Sequence, residues 1–175
     1  MRDRDLLRVE LAATVPPHEK APTLVQRCTD CGGDHGQPRV GDGEAVWASL
    51  TRAGGFVAVA VSTVGPVGID LEDPGAVDRA PLDAFGPAER EIIRDSAEPA
   101  RTATSLWTAK EAILKADGRG LRCDPRDLRL AVEPLVVMRW DDCPVALDLV
   151  TLAGFDGPGG LIGTVASFVS ARHRG

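Results

Sequence analysis

An α+β fold is what this chain of 175 residues predicts, and three observations carry it. Apolar runs of strand length fall in two groups, one ending at Glu72 and one beginning at Leu128, with helical patterning between them. The segment Thr104 to Ala116 carries apolar residues at helical spacing and exits into a glycine. A Gly-Gly pair leads into an apolar strand twice, as Gly54-Gly55-Phe56 and as Gly159-Gly160-Leu161, which is common hairpin chemistry and also what two similar halves, each ending in a hairpin, would leave behind. No low-complexity tract or linker separates the halves. The expectation is one fused unit with an N-terminal half over 1–66 and a C-terminal half over 67–175.

The elements follow in order. Leu6 to Ala13 has the apolar content of a short helix, which the proline-rich stretch from Pro16 to Pro22 ends. Residues 28 to 43, rich in glycine, read as loop. Phe56 to Val61 reads as a buried strand, and Val67 to Glu72 as a second strand after the turn at Gly65-Pro66. Pro74 and Pro81 mark a loop, Pro87 to Arg94 a short helix and Thr104 to Ala116 a longer one. Strand patterns recur at Leu128–Val132, Leu135–Trp140, Val145–Leu152 and Leu161–Val169.

Composition narrows the function classes. The 43% apolar content is enough for a core. A net charge of -6 argues against a protein built to grip nucleic acid, which needs a basic face. No apolar run of about 18 residues is present, so no membrane span is expected, and the charged start from Met1 to Asp5 leads into no signal-like stretch. A cytoplasmic protein is the expectation. Only three of the 20 basic residues are lysines, namely Lys20, Lys110 and Lys115, so the two that share a segment stand out. Cys28 and Cys31 have C-x-x-C spacing, but no second pair completes a zinc site, and a plain glycine-rich turn is the favoured reading.

In Val67-Gly68-Ile69-Asp70-Leu71-Glu72, strand alternation sends Val67, Ile69 and Leu71 to one face and Gly68, Asp70 and Glu72 to the other. Two carboxylates thus share a face, which Gly68 is expected to leave open to a ligand. Grouped oxygen ligands of this kind suit a hard cation such as magnesium, completed by phosphates and water. A half-exposed strand with two solvated acids has the same pattern.

In the helical segment, Ala103, Leu106, Trp107, Ile113 and Leu114 form one apolar arc, with Lys110 near its middle. Either its stem snorkels over the core or its ammonium meets an anion at the core's edge. Glu111 and Lys115, four residues apart, form either an ordinary helix ion pair or a ligand pair, Glu111 for a metal and Lys115 for a phosphate. Gly118 is suited to the left-handed position that closes the helix.

Together these segments resemble the signature of the 4′-phosphopantetheinyl transferase superfamily: a G-[IV]-D-[LIV]-E strand, here Gly68 to Glu72, followed by [WF]-x-x-K-E-A-x-x-K on a helix, here Trp107, Lys110, Glu111, Ala112 and Lys115. Cys28 to Pro38 looks like the family's loop ending in H-G-K-P, and Ser49 to Gly55 like its S-H-x-G-G turn. The mid-chain position of Asp70 resembles the larger, surfactin-synthetase-type branch, which implies a monomer of two similar α/β-sandwich halves related by a pseudo-twofold, with coenzyme A between them. The resemblance implies transfer of the phosphopantetheine arm of coenzyme A to a serine of an apo acyl, polyketide or peptidyl carrier protein. It implies magnesium on Asp70, Glu72 and Glu111, and Lys110 and Lys115 on phosphate oxygens. Glu111 or a metal-bound water would take the serine proton, with Glu111 and Lys115 as the catalytic pair. Thr51, Arg52 and Gln37 would hold coenzyme A. Thr51-Arg52 replaces the family's Ser-His, and Gln37 its loop lysine. The segment before the first helix is short against the family pattern, so weaker binding of coenzyme A is expected. A non-catalytic homologue that binds coenzyme A is the alternative, and a zinc module built on Cys28 and Cys31 a more distant one. Arg90 and Arg94 are candidates for meeting an acidic carrier.

Overall fold

The structure, a computed structural model, describes residues 24–26, 31–33, 38–40, 46–77 and 84–169. The expected helix over Leu6–Ala13 and the residues Cys28, His35 and Gln37 lie outside the described residues.

The observed fold is mixed α and β, as expected. A first sheet has the order β1-β2-β3-β4, from β1 (Leu24–Gln26), β2 (Pro38–Val40), β3 (Trp47–Ala53) and β4 (Phe56–Ser62). A second has the order β5-β9-β8, from β5 (Val67–Glu72), β8 (Val150–Asp156) and β9 (Ile162–Phe168), all antiparallel. β6 (Leu128–Val132) and β7 (Leu135–Trp140) form a separate two-stranded sheet. The described helices are α1 (Pro74–Val77), α2 (Pro87–Asp95) and α3 (Pro99–Asp117), so all of them follow residue 67.

Several expectations are corrected. β2 falls within the stretch read as loop, because Pro38–Val40 pairs with Leu24–Gln26 and supplies backbone partners that local sequence does not reveal. β4 is half-buried rather than buried. Pro74 opens a short helix instead of a loop, consistent with proline's fitness for the first helical turn. The strand read at Val145–Leu152 begins only at Val150, after a single 3-10 turn over Leu147–Leu149. α3 starts at Pro99 rather than Thr104, again with a proline in its first turn, and ends where Gly118 adopts φ 81° and donates its N–H to the Leu114 and Lys115 carbonyls.

α3 is the organising element. It packs on β5 and β9, and its arc of Leu106, Ile113 and Leu114 joins Phe85, Leu128, Leu130, Trp140 and Phe168 in one buried cluster. Gly68 faces this helix. A β-carbon there would collide with the Ala112 carbonyl oxygen and stand 2.6 Å from the Ala116 nitrogen. The face expected to be open at Gly68 is therefore filled by helix backbone, and glycine is needed for strand and helix to approach so closely.

β3 runs beside the free edge of β5, and side chains join the two sheets. The Ser49 hydroxyl accepts from the Ile69 amide at 3.1 Å, and the Thr51 hydroxyl donates to Asp70 at 3.0 Å. The two Gly-Gly turns also meet. A β-carbon on Gly54 would lie 3.2 Å from the Leu161 side chain, and one on Gly159 3.8 Å from the Phe56 ring. Gly54 and Gly55 both take positive φ, as a two-residue hairpin requires, and so do Gly159 and Gly160.

Candidate active site

Asp70 is the centre of the acidic group. Strand alternation turns it toward α3, and the close approach at Gly68 leaves it 4% exposed. Its Oδ1 accepts from the Thr51 hydroxyl at 3.0 Å and from Lys115 Nζ at 2.6 Å. Its Oδ2 is buried and accepts no hydrogen bond, a costly state for a carboxylate oxygen. Lys115 reaches Asp70 from the last turn of α3 and also donates to the Ile69 carbonyl at 3.3 Å.

Glu72 and Glu111 complete the group. Burial pushes the Glu72 carboxyl above its ordinary value, and the Asp70 charge adds to the rise while Lys115 opposes it. Burial likewise pushes Glu111 up, with Lys115 opposing and the charges of Asp70 and Glu72 adding. Three acids and one ammonium thus act on one another at the junction of β3, β5 and α3. Among the described residues no three metal-ligating side chains are gathered tightly enough to grip an ion unaided. The donors nonetheless fit a hard cation whose shell phosphates and water would complete: the oxygens are carboxylate, one is orphaned, and mutual repulsion would be relieved by a divalent charge.

Lys110 has a different place from the one expected. It is fully buried, and Nζ donates to Glu89 Oε2, Pro125 O and Leu128 O, each at 2.7 Å, and to Ala84 O at 3.2 Å. Its donors are spent inside the protein, so in this structure it is no phosphate clamp. Burial pushes its pKa down, and the Glu89 charge counters that. Sequence reasoning missed Glu89, whose Oε1 accepts from the Leu130 amide at 3.1 Å and whose Oε2 accepts from the Gly86 amide at 3.0 Å. Its position three residues after Gly86 is a helix-start signal, but nothing local reveals that the carboxylate turns inward.

The residues expected to hold coenzyme A are only partly within the described residues. Thr51 is buried with its hydroxyl on Asp70, so it serves the acidic group, while the neighbouring Arg52 side chain is exposed. Cys31 is exposed, and its sulfur accepts from the Gly33 amide at 3.4 Å. Arg90 donates to the Phe85 carbonyl at 2.9 Å, and Arg94 pairs with Asp95 at 3.0 Å. No helix among the described residues is long and apolar enough to cross a membrane.

Comparison with known proteins bears on this site. Residues 66–151 match the family model of the 4′-phosphopantetheinyl transferase superfamily, a span that includes Asp70, Glu72, Glu111 and Lys115. A protein of Synechocystis sp. named "Putative 4'-phosphopantetheinyl transferase" is 30% identical over 123 residues, covering 66% of this chain and 50% of that protein. The chain therefore spans about half the length of the curated relative it matches. Among solved structures, the acyl carrier protein synthase of Mycobacterium tuberculosis is similar over 59% of this chain and 95% of its own, with 27% identity and a TM-score of 0.42. The holo-[acyl-carrier-protein] synthase of Neisseria meningitidis is similar over 59% and 98%, with 17% identity and a TM-score of 0.48.

Proposed function

We propose, from the match of residues 66–151 to the family model of the 4′-phosphopantetheinyl transferase superfamily, that this protein transfers the phosphopantetheine arm of coenzyme A to a serine of an apo carrier protein. The observation that carries the reading is Asp70: a buried carboxylate with one oxygen held by Thr51 and Lys115 and the other orphaned, beside two acids of raised pKa. The serine oxygen attacks the phosphorus that bears the arm. The bond to 3′,5′-ADP breaks, and the serine proton leaves to a base. Glu111 is the base on this reading, since burial raises its pKa above the ordinary carboxylate value and so makes it a better proton acceptor. Lys115, partly exposed, pairs with phosphate oxygens of the substrate as a point charge. Asp70, Glu72 and Glu111 would hold magnesium, which supplies charge neutralisation on the pyrophosphate. Thr51 keeps Asp70 oriented, and Arg52 and Gln37 are assigned to coenzyme A. Lys110 positions α3 from within.

The surfactin-synthetase-type branch, with two halves about a pseudo-twofold divided near residue 66, belongs to the same reading. The reciprocal contact supports it: Gly54 meets Leu161 while Gly159 meets Phe56, the pairing that a twofold axis imposes. A cytoplasmic monomer is part of the proposal. The looseness of the acidic group favours one second reading, a coenzyme A-binding homologue without transferase activity.

The test is to incubate the protein with coenzyme A, magnesium and several apo carrier proteins and to weigh the carriers. The expected gain is one phosphopantetheine arm, abolished in Asp70→Ala and Glu111→Ala that keep the wild-type circular dichroism spectrum. Coenzyme A binding without transfer to any carrier would favour the second reading. Full activity in either variant would remove the assignment of the acidic group.

A further inference from the structure

Two buried hydroxyls join α3 to β9 beside the acidic group, and the reading above gives them no role. Ala166 and Phe168 of β9 belong to the core cluster around α3, and strand alternation puts Thr164 and Ile162 on the same face. Thr164 is the polar member of that row. Its counterpart on α3 is Thr108, and the two buried hydroxyls meet at 2.9 Å. Thr108 also reaches back to the Ser105 carbonyl at 3.3 Å. With the Thr108 proton on that carbonyl, Thr164 is the donor of the shared bond, and Thr108 is the partner its hydroxyl has among the described residues.

The consequence lies in where this pair sits. Asp70 pairs with Thr164 across β5 and β9, so the two side chains share a face and stand side by side. Glu111 follows Thr108 by three residues and is its neighbour on the surface of α3. Two residues back along β5, Gly68 meets the backbone of Ala112 and Ala116. The roughly 6.6 Å of strand from Gly68 to Asp70 matches the roughly 6 Å of helix from Ala112 back to Thr108. α3 is thus pinned at two levels with Glu111 between them, by backbone contact at Gly68 and by a directed hydrogen bond at Thr164.

The second pin does what apolar contact does not. Leu106, Ala109, Ala112 and Ile113 gain by burial, which has no direction, so they favour this face of α3 more than any one angle within it. A slip of α3 by one residue turns it by about 100°, which would carry Glu111 away from Asp70. The same turn would leave the Thr164 O–H buried without an acceptor, a state that costs its full desolvation. We infer that Thr108 and Thr164 are positioning residues whose hydrogen bond fixes the rotation of α3 on the sheet, and with it the placement of Glu111 and Lys115 toward Asp70. This rests on the metal and transferase reading above. Neither threonine is assigned a contact with metal or substrate.

Valine is the probe, since it keeps the branched shape of threonine and removes the hydroxyl. Thr108→Val/Thr164→Val takes away both partners, strands no buried donor and should melt with the wild type. Magnesium would be titrated by calorimetry into the wild type, the double variant, Thr164→Val and Thr164→Ser, each with coenzyme A present. The double variant should bind magnesium roughly 10–100-fold more weakly at unchanged stoichiometry, the usual effect of removing a group that orients metal ligands. Unchanged stoichiometry separates misplaced ligands from a fraction of unfolded protein. Thr164→Ser keeps the hydroxyl and should bind as the wild type does. A double variant with wild-type melting and wild-type magnesium affinity would overturn the inference. So would a Thr164→Ser protein as impaired as Thr164→Val, or a double variant that melts well below the wild type, since either would make the pair a plain core contact. A wild type that binds coenzyme A but no magnesium would overturn both this inference and the metal assignment. Magnesium binding that follows the hydroxyls, without transfer to any carrier, would leave the positioning role standing and sink only the enzymatic reading.

Discussion

Replacing Lys110 with methionine separates a structural lysine from a substrate-binding one. The ammonium is fully buried and serves the Glu89 carboxylate of α2 and three backbone carbonyls, that of Ala84 just before α2 and those of Pro125 and Leu128 at the turn into β6. Methionine keeps the length of the stem but supplies no donor. Glu89 would then be a buried carboxylate held by two amides alone, and the Ala84, Pro125 and Leu128 carbonyls would lose their shared partner. Removing one member of a buried ion pair costs about 3–5 kcal/mol, because the remaining charge stays out of water. For a domain of this size each kcal/mol lowers Tm by roughly 2–4 °C, so Lys110→Met should melt roughly 6–20 °C below the wild type. The double variant Lys110→Met/Glu89→Leu should recover part of that loss, since it removes the stranded charge as well. Thermal unfolding followed by circular dichroism reads both. A Lys110→Met protein that melts with the wild type yet loses coenzyme A binding would refute this reasoning and return Lys110 to the phosphates.

Two further outcomes follow from the same geometry. Gly68→Ala should part α3 from β5, costing about 1–3 kcal/mol or more as overpacking does, and should depress the proposed transfer activity more than stability because Glu111 and Lys115 ride on that helix; a variant with wild-type melting and activity would show that the close approach is dispensable. Glu72 and Glu111, whose pKa values are raised in the folded protein, bind more protons folded than unfolded, so their contribution to stability is full below the unfolded value and is lost as pH rises through the folded one. Denaturant unfolding without magnesium should therefore show stability declining from about pH 4.5 upward on account of these groups, a trend that Glu111→Gln should flatten and whose persistence there would exonerate Glu111.

Much of this molecule is written locally. The limits of β5, β6 and β7, and the left-handed glycine that ends α3, follow from alternation, helical spacing and the conformational freedom of Gly118, none of which needs a distant partner. The pattern of acids on β5 and of Glu111 and Lys115 on α3 is equally local. So is the anomaly of Lys110, a charge set in an apolar arc.

What the anomaly means was decided by tertiary structure. Glu89 stands 21 residues away from Lys110 on another helix, and burial of both removed water as the competing partner, so the ammonium was committed to the interior. Gly68 and Thr51 tell the same story. Open space was the natural reading of a glycine beside two acids, but α3 backbone occupies it, and Thr51, expected to hold coenzyme A, turns to Asp70 because β3 runs along the free edge of β5. Sequence determined which groups are chemically able to act. Long-range packing determined which of them are spent on the fold, because desolvation and hydrogen-bond geometry depend on neighbours that no local pattern names.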